Sequence, residues 1–240
     1  MDAEPAEPSR TGRTVPAAVR VVGVTAERPD EIETVIPWEL AGPPGQVAVQ
    51  LRTTVPRVTV GVGLARRPGL LEAVRGIAGS PGVATSPVGG TFVVGGPGWI
   101  GLSALGVAPP AAVWPIDWML GAVHGWLQGF LRPLGVTLRP GRVEGAWCPG
   151  FSDGGVDGRK LVGLGFRVSR GRIACRGVLA VLPLRADDLA WLRACHALIG
   201  LPVDPGRCTS LAECTGDAGW DAAAAVTRLA RATFTGTAAA

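Results

Sequence analysis

The stretch DGRKLVGLGFR at residues 157–167 holds Lys160, the only lysine among the 23 basic residues of the chain. Its short apolar run predicts a strand with Lys160 at the entrance. Arginine stays protonated, whereas a lysine ammonium is a compact donor that can lose its proton when buried. We therefore interpret Lys160 as a residue that takes part in the protein's chemistry. The alternative is a cation at a strand edge, left over from an arginine-rich coding bias.

The residues on both sides of this strand predict a sheet. Residues 173–182 predict a second strand, joined antiparallel to the first through residues 169–172. Residues 91–94 and 99–102 predict a hairpin around a glycine-rich turn. Further strands are predicted at residues 19–22, 47–51 and 58–62.

The clearest predicted helix spans residues 116–131, where apolar side chains recur at helical spacing. Pro115 precedes it, and Pro133 and Gly135 follow it. Shorter helices are predicted at residues 70–77, 187–199 and 220–234. Strands interleaved with such helices favour an α+β fold, a mixed, largely antiparallel sheet with helices packed on it. His124 lies on the long helix without Cys, Asp or Glu nearby, which favours a structural role over metal binding.

The composition argues against nucleic-acid and membrane partners. The net charge is +4 and the pI near 9.1, yet the arginines stand singly or in pairs instead of forming a basic run. Residues 76–116 carry no charge, but glycine and proline interrupt them too often for a membrane helix of about 20 apolar residues. Residues 1–10 lack the basic start and apolar stretch of a secretory signal, so we expect a cytoplasmic protein.

Two regions are expected along the chain. Residues 1–17 combine Pro, Glu and Arg with few large apolar side chains, which predicts a disordered tail. Residues 18–240 are predicted to form a single domain, with the folded part beginning near Val19. The five cysteines are odd in number, lack CxxC spacing and share the chain with two histidines, so neither a zinc site nor a disulfide framework is predicted.

Common nucleotide and hydrolase motifs do not fit the sequence. GPGWIG at residues 96–101 matches GxGxxG, but it leads into a predicted strand instead of a helix, so a turn is favoured over a dinucleotide site. No P-loop, HExxH or GxSxG pattern occurs. The corresponding enzyme classes are excluded.

Four segments in a fixed order resemble the lipoate-protein ligase and octanoyltransferase superfamily, whose catalytic fold is shared by biotin-protein ligases. The specific match is DGRKLVG at residues 157–163, followed by Arg167 and residues 170–171, which is similar to the family's DGRKIAG strand with its invariant lysine. The weaker matches are SPVGGT at residues 86–91 for RRxxGG, RGVL at residues 176–179 for HGxLL, and TSLAE at residues 209–213 for the TSL segment. The resemblance covers about residues 80–215.

The resemblance implies an acyl-transfer site around Lys160. In that family the lysine contacts the acyl carbonyl and, in ligases, the phosphate of an acyl-adenylate. The backbone around Gly89 and Gly90 would line the acyl tunnel in one pocket with Lys160, unless these residues form an ordinary turn before a strand. The remaining backbone positions implied to bind substrate are Gly158, Gly163 and Gly177.

Two departures from the family pattern bear on the chemistry. Thr85 and Ser86 stand where the family has two arginines, and Arg176 stands where it has the histidine of HGxLL. Because fewer cations remain to hold a phosphate, the sequence favours ATP-independent transfer. ATP and Mg²⁺ would be the cofactors of a ligase, whereas a thioester acyltransferase would need none. Arg176 could bind a phosphate or carboxylate itself, or face solvent.

The resemblance also indicates a nucleophile. Cys148 lies twelve residues before Lys160, a placement similar to the cysteine of some octanoyltransferases, while others carry theirs later, near Cys195. An adjacent ammonium would favour the thiolate; the alternative is a small buried apolar residue. Asp153 stands where ligases often show an Asn-Asp pair, or it caps a turn.

Two hypotheses for function remain. The first is a lipoate-ligase-like acyltransferase, with Lys160 as electrophilic stabiliser. It would move a lipoyl- or octanoyl-type group from an acyl donor, a carrier protein or a free acid, to an amine such as an acceptor protein's lysine. The second is a non-catalytic member of the fold that binds an acyl group, a nucleotide or a protein partner. Loss of the arginine pair and the histidine favours the second, and retention of the sole lysine favours the first.

Overall fold

The computed structural model describes residues 15–26, 41–169, 171–232 and 234–238. The strands in these ranges are β1 (Val15–Ala26), β2 (Gln46–Thr53), β3 (Arg57–Gly61), β4 (Val83–Ser86), β5 (Phe92–Gly95), β6 (Trp99–Val107), β7 (Arg139–Pro140), β8 (Gly154–Val156), β9 (Arg159–Ser169), β10 (Arg172–Ala180) and β11 (Phe234–Ala238). The α-helices are α1 (Val62–Ala65), α2 (Leu70–Arg75), α3 (Pro115–Leu131), α4 (Ala186–Ala197), α5 (Leu211–Thr215) and α6 (Ala222–Ala230). Among the helices of these ranges, none has both the length and the apolar character needed to cross a bilayer.

The described strands form two sheets. The main sheet has the order β11-β1-β2-β6-β10-β9-β8-β7, and its neighbours run antiparallel except for β1 and β2. The small sheet has the order β4-β3-β5, with β3 parallel to β4 and antiparallel to β5. The predicted fold class, an α+β fold with a mixed, largely antiparallel sheet, is confirmed.

The strand that carries Lys160 pairs with the strand predicted beside it. β9 and β10 are antiparallel, from Ser169 opposite Arg172 to Val162 opposite Leu179. The turn before β9 contains Asp157 and Gly158 with φ of 50° and 74°, a left-handed backbone that suits Asp and Gly. This turn starts β9 so that Lys160 is its second residue.

α3 covers one face of the main sheet. Pro115 is its first residue, where a missing N–H breaks no helical hydrogen bond. The long helix predicted over residues 116–131 is confirmed. Its apolar side buries large residues against the sheet, among them Trp118, Met119, Val123 and Trp126 of the helix and Leu102, Ala104 and Ile173 of the strands.

The predicted hairpin over residues 91–94 and 99–102 is wrong. β5 pairs with β3 in the small sheet, whereas β6 pairs with β2 and β10 in the main sheet. The turn between them carries the chain from one sheet to the other. Thr54 fixes that turn, because its Oγ1 accepts the Gly96 N–H at 2.8 Å and donates to the Gly96 carbonyl at 2.9 Å.

The two ends of the described chain pair with each other. The helix predicted over residues 220–234 ends at Ala230, and β11 follows it and pairs with β1. β1 begins at Val15, so residues 15–17 of the predicted tail belong to a strand that starts before the predicted Val19. Residues 1–14 lie outside the described residues.

Candidate functional site

A cavity of about 510 Å³ lies between the two sheets. The small sheet contributes Arg57, Thr59 and Val93, which its register places on one face. The main sheet contributes β9 and β10, and residues 147–152 close one side. A volume of this size is typical of a small-molecule site.

Glycines of the main sheet let other backbone segments approach its cavity face. A Cβ at Gly163 would lie 2.7 Å from the Trp147 ring and 3.0 Å from Lys160 Nζ. A Cβ at Gly165 would lie 2.7 Å from the Gly89 carbonyl oxygen. Larger residues at these positions would therefore push the flanking loops away from the sheet.

Lys160 lies under the loop of residues 147–153. The side chain is fully buried, and its Nζ donates to the carbonyls of Trp147 at 2.9 Å and Cys148 at 2.6 Å. Nζ also lies 2.6 Å from Asp153 Oδ1 and 4.1 Å from the centroid of the Trp147 ring. These three acceptors match the three donors of an ammonium. The cavity wall contains Trp147 and Cys148 but not Lys160 itself.

Asp153 completes this buried arrangement. Its Oδ2 accepts the Gly150 N–H at 2.9 Å, and its side chain is 1% exposed. Burial raises the pKa of the Asp153 carboxyl, and the neighbouring ammonium and backbone N–H groups oppose the rise. Asp153 therefore holds the loop and its cation together instead of lining the cavity.

Cys148 and the Gly89–Gly90 segment meet at the cavity wall. Cys148 has a φ of 44°, a left-handed conformation that is uncommon outside glycine. Its Sγ accepts the Thr91 N–H at 3.0 Å. Gly90 has a φ of 120°, and a Cβ there would lie 3.0 Å from the same sulfur. The structure thus brings the predicted cysteine and the predicted glycines together.

His196, which the sequence did not single out, lies against the same cysteine. It is fully buried near the end of α4. Its Nε2 is 3.3 Å from Cys148 N and 3.1 Å from Thr91 Oγ1, and its Nδ1 is 2.8 Å from the Leu192 carbonyl oxygen. Burial lowers the pKa of the imidazole; the hydrogen bond to the Leu192 carbonyl opposes this shift, and the charge of Lys160 adds to it. Nothing in the local sequence marks this residue, because Thr91 and Cys148, which meet its Nε2, are distant along the chain.

Arginine reaches the cavity from positions other than residues 85 and 86. Arg176 lines it, as the sequence left open, together with Arg52, Arg57 and Arg142. Arg52 Nη1 donates to Ser103 Oγ at 2.8 Å. The lining residues of the described chain include no Asp or Glu, and Arg142 is ion-paired with Glu144, which lies outside the lining.

The other predicted residues divide between the cavity and its surroundings. Gly177 lines the cavity, whereas Gly158 lies in the turn before β9 and does not. Cys195 is buried in the core formed by the small sheet and α4, and burial raises the pKa of its thiol to about 11. His124 Nε2 lies 3.3 Å from the Ser152 carbonyl, which ties α3 to the cavity loop. Among the described residues, no three His, Cys, Asp or Glu side chains are grouped so that they could hold a metal ion.

No protein-family model matches the sequence, and no curated protein matches it. Solved structures do. Lipoate-protein ligase A bound with ATP is 16% identical with a TM-score of 0.54, and the match covers 77% of this chain and 70% of that chain. Protein Ta0514 from T. acidophilum is 16% identical with a TM-score of 0.52 over 77% and 69% of the two chains. Its structure with bound lipoic acid gives 15%, a TM-score of 0.50, and coverage of 69% and 63%.

These similarities concern the fold. At such identities, the chain is shown to have the lipoate-protein ligase fold, as the resemblance of the Lys160 strand predicted. The chain spans 63% of the length of the Ta0514 protein in its lipoic acid complex. Activity, substrates and partners are therefore matters for proposal.

Proposed function

We propose that this protein is a lipoate-ligase-like acyltransferase that carries an acyl group as a thioester on Cys148 and passes it to an amine. The observation that supports the proposal is the Cys148 sulfur at the cavity wall, 3.0 Å from the Thr91 N–H. A backbone N–H directed at sulfur stabilises the thiolate, which is the reactive form of cysteine. The Gly89–Gly90 backbone leaves room beside it for an acyl carbonyl.

The proposed reaction has two transfers. In the first, the Cys148 thiolate attacks the carbonyl of a thioester donor, the donor's carbon–sulfur bond breaks, and the donor sulfur leaves as a thiolate that takes a proton from water. In the second, an acceptor amine attacks the Cys148 thioester, an amide forms, the amine releases a proton, and the Cys148 thiolate is restored. No phosphate is needed for either transfer, which agrees with Thr85 and Ser86 at the positions of the family's arginines.

Lys160 supplies the positive charge nearest to Cys148 in this proposal. Its ammonium lies 2.6 Å from the Cys148 carbonyl oxygen and 2.6 Å from Asp153 Oδ1, so the carboxylate offsets much of its field, and the ammonium stabilises a developing negative charge chiefly by a direct hydrogen bond. Direct contact with a substrate carbonyl requires Nζ to exchange one of its backbone acceptors for the substrate oxygen. The donor is proposed to be an acyl carrier protein and the acceptor a protein lysine.

Intact-protein mass spectrometry tests the proposal. We expect an octanoyl or lipoyl thioester donor to add one acyl mass to the protein without ATP, and Cys148→Ser to abolish the adduct. Cys214→Ser is the matched control, because Cys214 is also half-buried but lies outside the cavity wall. An adduct that survives Cys148→Ser would contradict the thioester route. ATP–pyrophosphate exchange with a free acid and Mg²⁺ would instead support a ligase.

The closed set of bonds around Lys160 favours one competing function, a non-catalytic binding protein. All three ammonium donors have acceptors within the chain, which is also what a purely structural lysine shows. Such a protein would bind an acyl compound in the cavity and form neither an adduct nor an adenylate. Tight binding of octanoate, with no adduct from any donor and no ATP–pyrophosphate exchange, would establish it.

A further inference from the structure

The peptide bond before Cys148 is held at both ends. Its carbonyl oxygen, on Trp147, accepts from Lys160 Nζ at 2.9 Å. Its N–H, on Cys148, donates to His196 Nε2 at 3.3 Å. One side chain of β9 and one of α4 thus clamp the same peptide unit from opposite directions, and this peptide sets the left-handed φ of 44° at Cys148.

The contacts of His196 fix its tautomer. Nδ1 lies 2.8 Å from the Leu192 carbonyl, which only accepts, so Nδ1 carries the proton. Nε2 faces the Cys148 N–H, which only donates, so Nε2 carries none. The Thr91 hydroxyl then donates to Nε2 at 3.1 Å. Nε2 therefore accepts hydrogen bonds from both Cys148 and Thr91, and Thr91 is also the residue whose N–H contacts the Cys148 sulfur.

We infer that His196 is a positioning residue for Cys148: its neutral imidazole holds the thiol in place for acyl transfer, and its protonation releases it. The inference rests on the proposed thioester chemistry. A proton on Nε2 would point at the Cys148 N–H, replacing a hydrogen bond with two opposed donors. That end of the clamp would open while the Lys160 end remained.

The surroundings of His196 keep the neutral form in place. Phe92 of β5 packs edge-on against the ring at 5.3 Å between centroids. Among the described residues, the charged group that acts on the ring is the Lys160 ammonium from β9, which is paired with Asp153, and Cys148 meets the ring through its backbone N–H. On α4 itself, Cys195 is the neighbouring titratable residue. Burial and the Lys160 charge disfavour an imidazolium here, and the hydrogen bond from Nδ1 to the Leu192 carbonyl opposes them only in part.

Two variants of the full chain separate positioning from packing. His196→Gln keeps a planar group with one donor for Leu192 and one acceptor for Cys148, but it does not titrate. His196→Leu keeps a side chain of similar volume but loses both the donor for Leu192 and the acceptor for Cys148. We expect His196→Leu to slow acyl-adduct formation on Cys148 from an octanoyl-pantetheine thioester by about tenfold, the loss of one oriented hydrogen bond. His196→Gln should recover most of that rate.

The pH profile of the adduct rate is the deciding measurement. In the wild-type protein, protonation of His196 should lower the rate, so the plot of log rate against pH should become steeper by one unit below the pKa of His196. This added slope should be absent in His196→Gln. Equal rates for the two variants, or an extra dependence that persists in His196→Gln, would overturn the inference. Tryptophan fluorescence at each pH checks that the protein remains folded.

A second measurement does not depend on acyl transfer. In ¹⁵N-labelled protein, the Cys148 amide resonance should move as the His196 ring titrates, and this movement should be absent in His196→Gln. If no thioester gives an adduct, the proposed function fails while a coupled amide titration still supports the clamp. If the chemical shift of the Cys148 amide does not change as His196 titrates, His196 does not hold this peptide, and the inference is overturned whether or not the protein is active.

Discussion

The two faces of the main sheet are built from the same strands but differ in chemistry. Toward α3, the strands present Leu102, Ala104, Ile173 and other apolar side chains that are almost fully buried. Toward the cavity, they present Arg176 and Val178 together with glycines. Since neighbouring residues of a strand point to opposite faces, one stretch of sequence serves both.

The α3 face of the main sheet contributes mainly to stability, whereas the cavity face holds the candidate site. The α3 face gains its free energy from apolar area removed from water. The cavity face gives up side-chain volume so that two loops can reach the sheet, and its charged group, Lys160, is held by polar bonds beneath one of those loops. Substitutions on the two faces should therefore differ in what they damage.

The largest effect is expected from the buried ion pair on the cavity side. Asp153→Ala leaves the Lys160 ammonium, which is fully buried, without its counter-charge, and should lower the free energy of unfolding by about 3–5 kcal/mol. Urea denaturation measures the change. Glu72→Ala is the control, because the Arg75–Glu72 pair is exposed at both ends and its loss should cost about 0–1 kcal/mol. Similar costs for the two variants would show that the Lys160 pair is hydrated in solution.

The next effect compares the faces directly. Leu102→Ala removes a side chain that is 1% exposed against α3 and should cost about 2–5 kcal/mol of unfolding free energy. Val178→Ala enlarges a cavity that already exists, and its cost should be about 1 kcal/mol or less. Thermal or urea unfolding of both variants tests this. A larger cost for Val178→Ala would mean that the cavity wall, and not the α3 face, is the tighter core.

A smaller cost in stability, with a large cost in chemistry, is expected at Gly90. Gly90→Ala places a Cβ 3.0 Å from Cys148 Sγ at a φ of 120°, so it should destabilise the fold by about 1–3 kcal/mol and block the Cys148 adduct. Gly82→Ala has the matching backbone strain, with a φ of 106°, and no atom near the added Cβ. Gly82→Ala should cost similar stability and keep the adduct. Loss of the adduct in both variants would count against a specific contact with the sulfur.

The smallest effect is the pH dependence of stability. Burial lowers the pKa values of His124 and His196 below 6.5 in the folded state. The unfolded chain then binds more protons than the folded chain below pH 6.5, so stability is complete above that pH and falls as the pH decreases. His124→Gln and His196→Gln should each flatten this decline in urea titrations between pH 5 and 7. A decline that is unchanged in the double variant would assign it to other groups.

Much of the fold could be predicted because its signals are local. The short apolar run of the Lys160 strand and the helical spacing at residues 116–131 reflect what these elements bury, and both predictions agree with β9 and α3. The glycine-rich turn at Gly95–Gly98 is also local, but its partner strands are not. A turn sequence allows either a hairpin or a crossing between sheets, and the pairing of β5 with β3 decided the outcome.

The candidate site was predicted in part for the same reason. Cys148 and Gly89–Gly90 line the cavity as a set, and Arg176 joins them. The sequence placed Lys160 in that wall, whereas the structure places its ammonium behind the Trp147 and Cys148 carbonyls. The direction of a long side chain depends on which acceptors surround it after folding, and the chain segment alone does not specify them.

By itself, the sequence determined the strand around Lys160, the long helix, the mixed sheet and the cysteine that comes twelve residues before the lysine. Tertiary structure alone decided that Lys160 and His196 hold opposite ends of one peptide bond, since these contacts join residues that are far apart in the chain. Thr91 and His196 are 105 positions apart and Cys148 and His196 are 48 apart. Periodicity reports which face of an element is buried, but hydrogen bonds between distant elements form only where the packing of the two sheets and α4 brings donors and acceptors within reach.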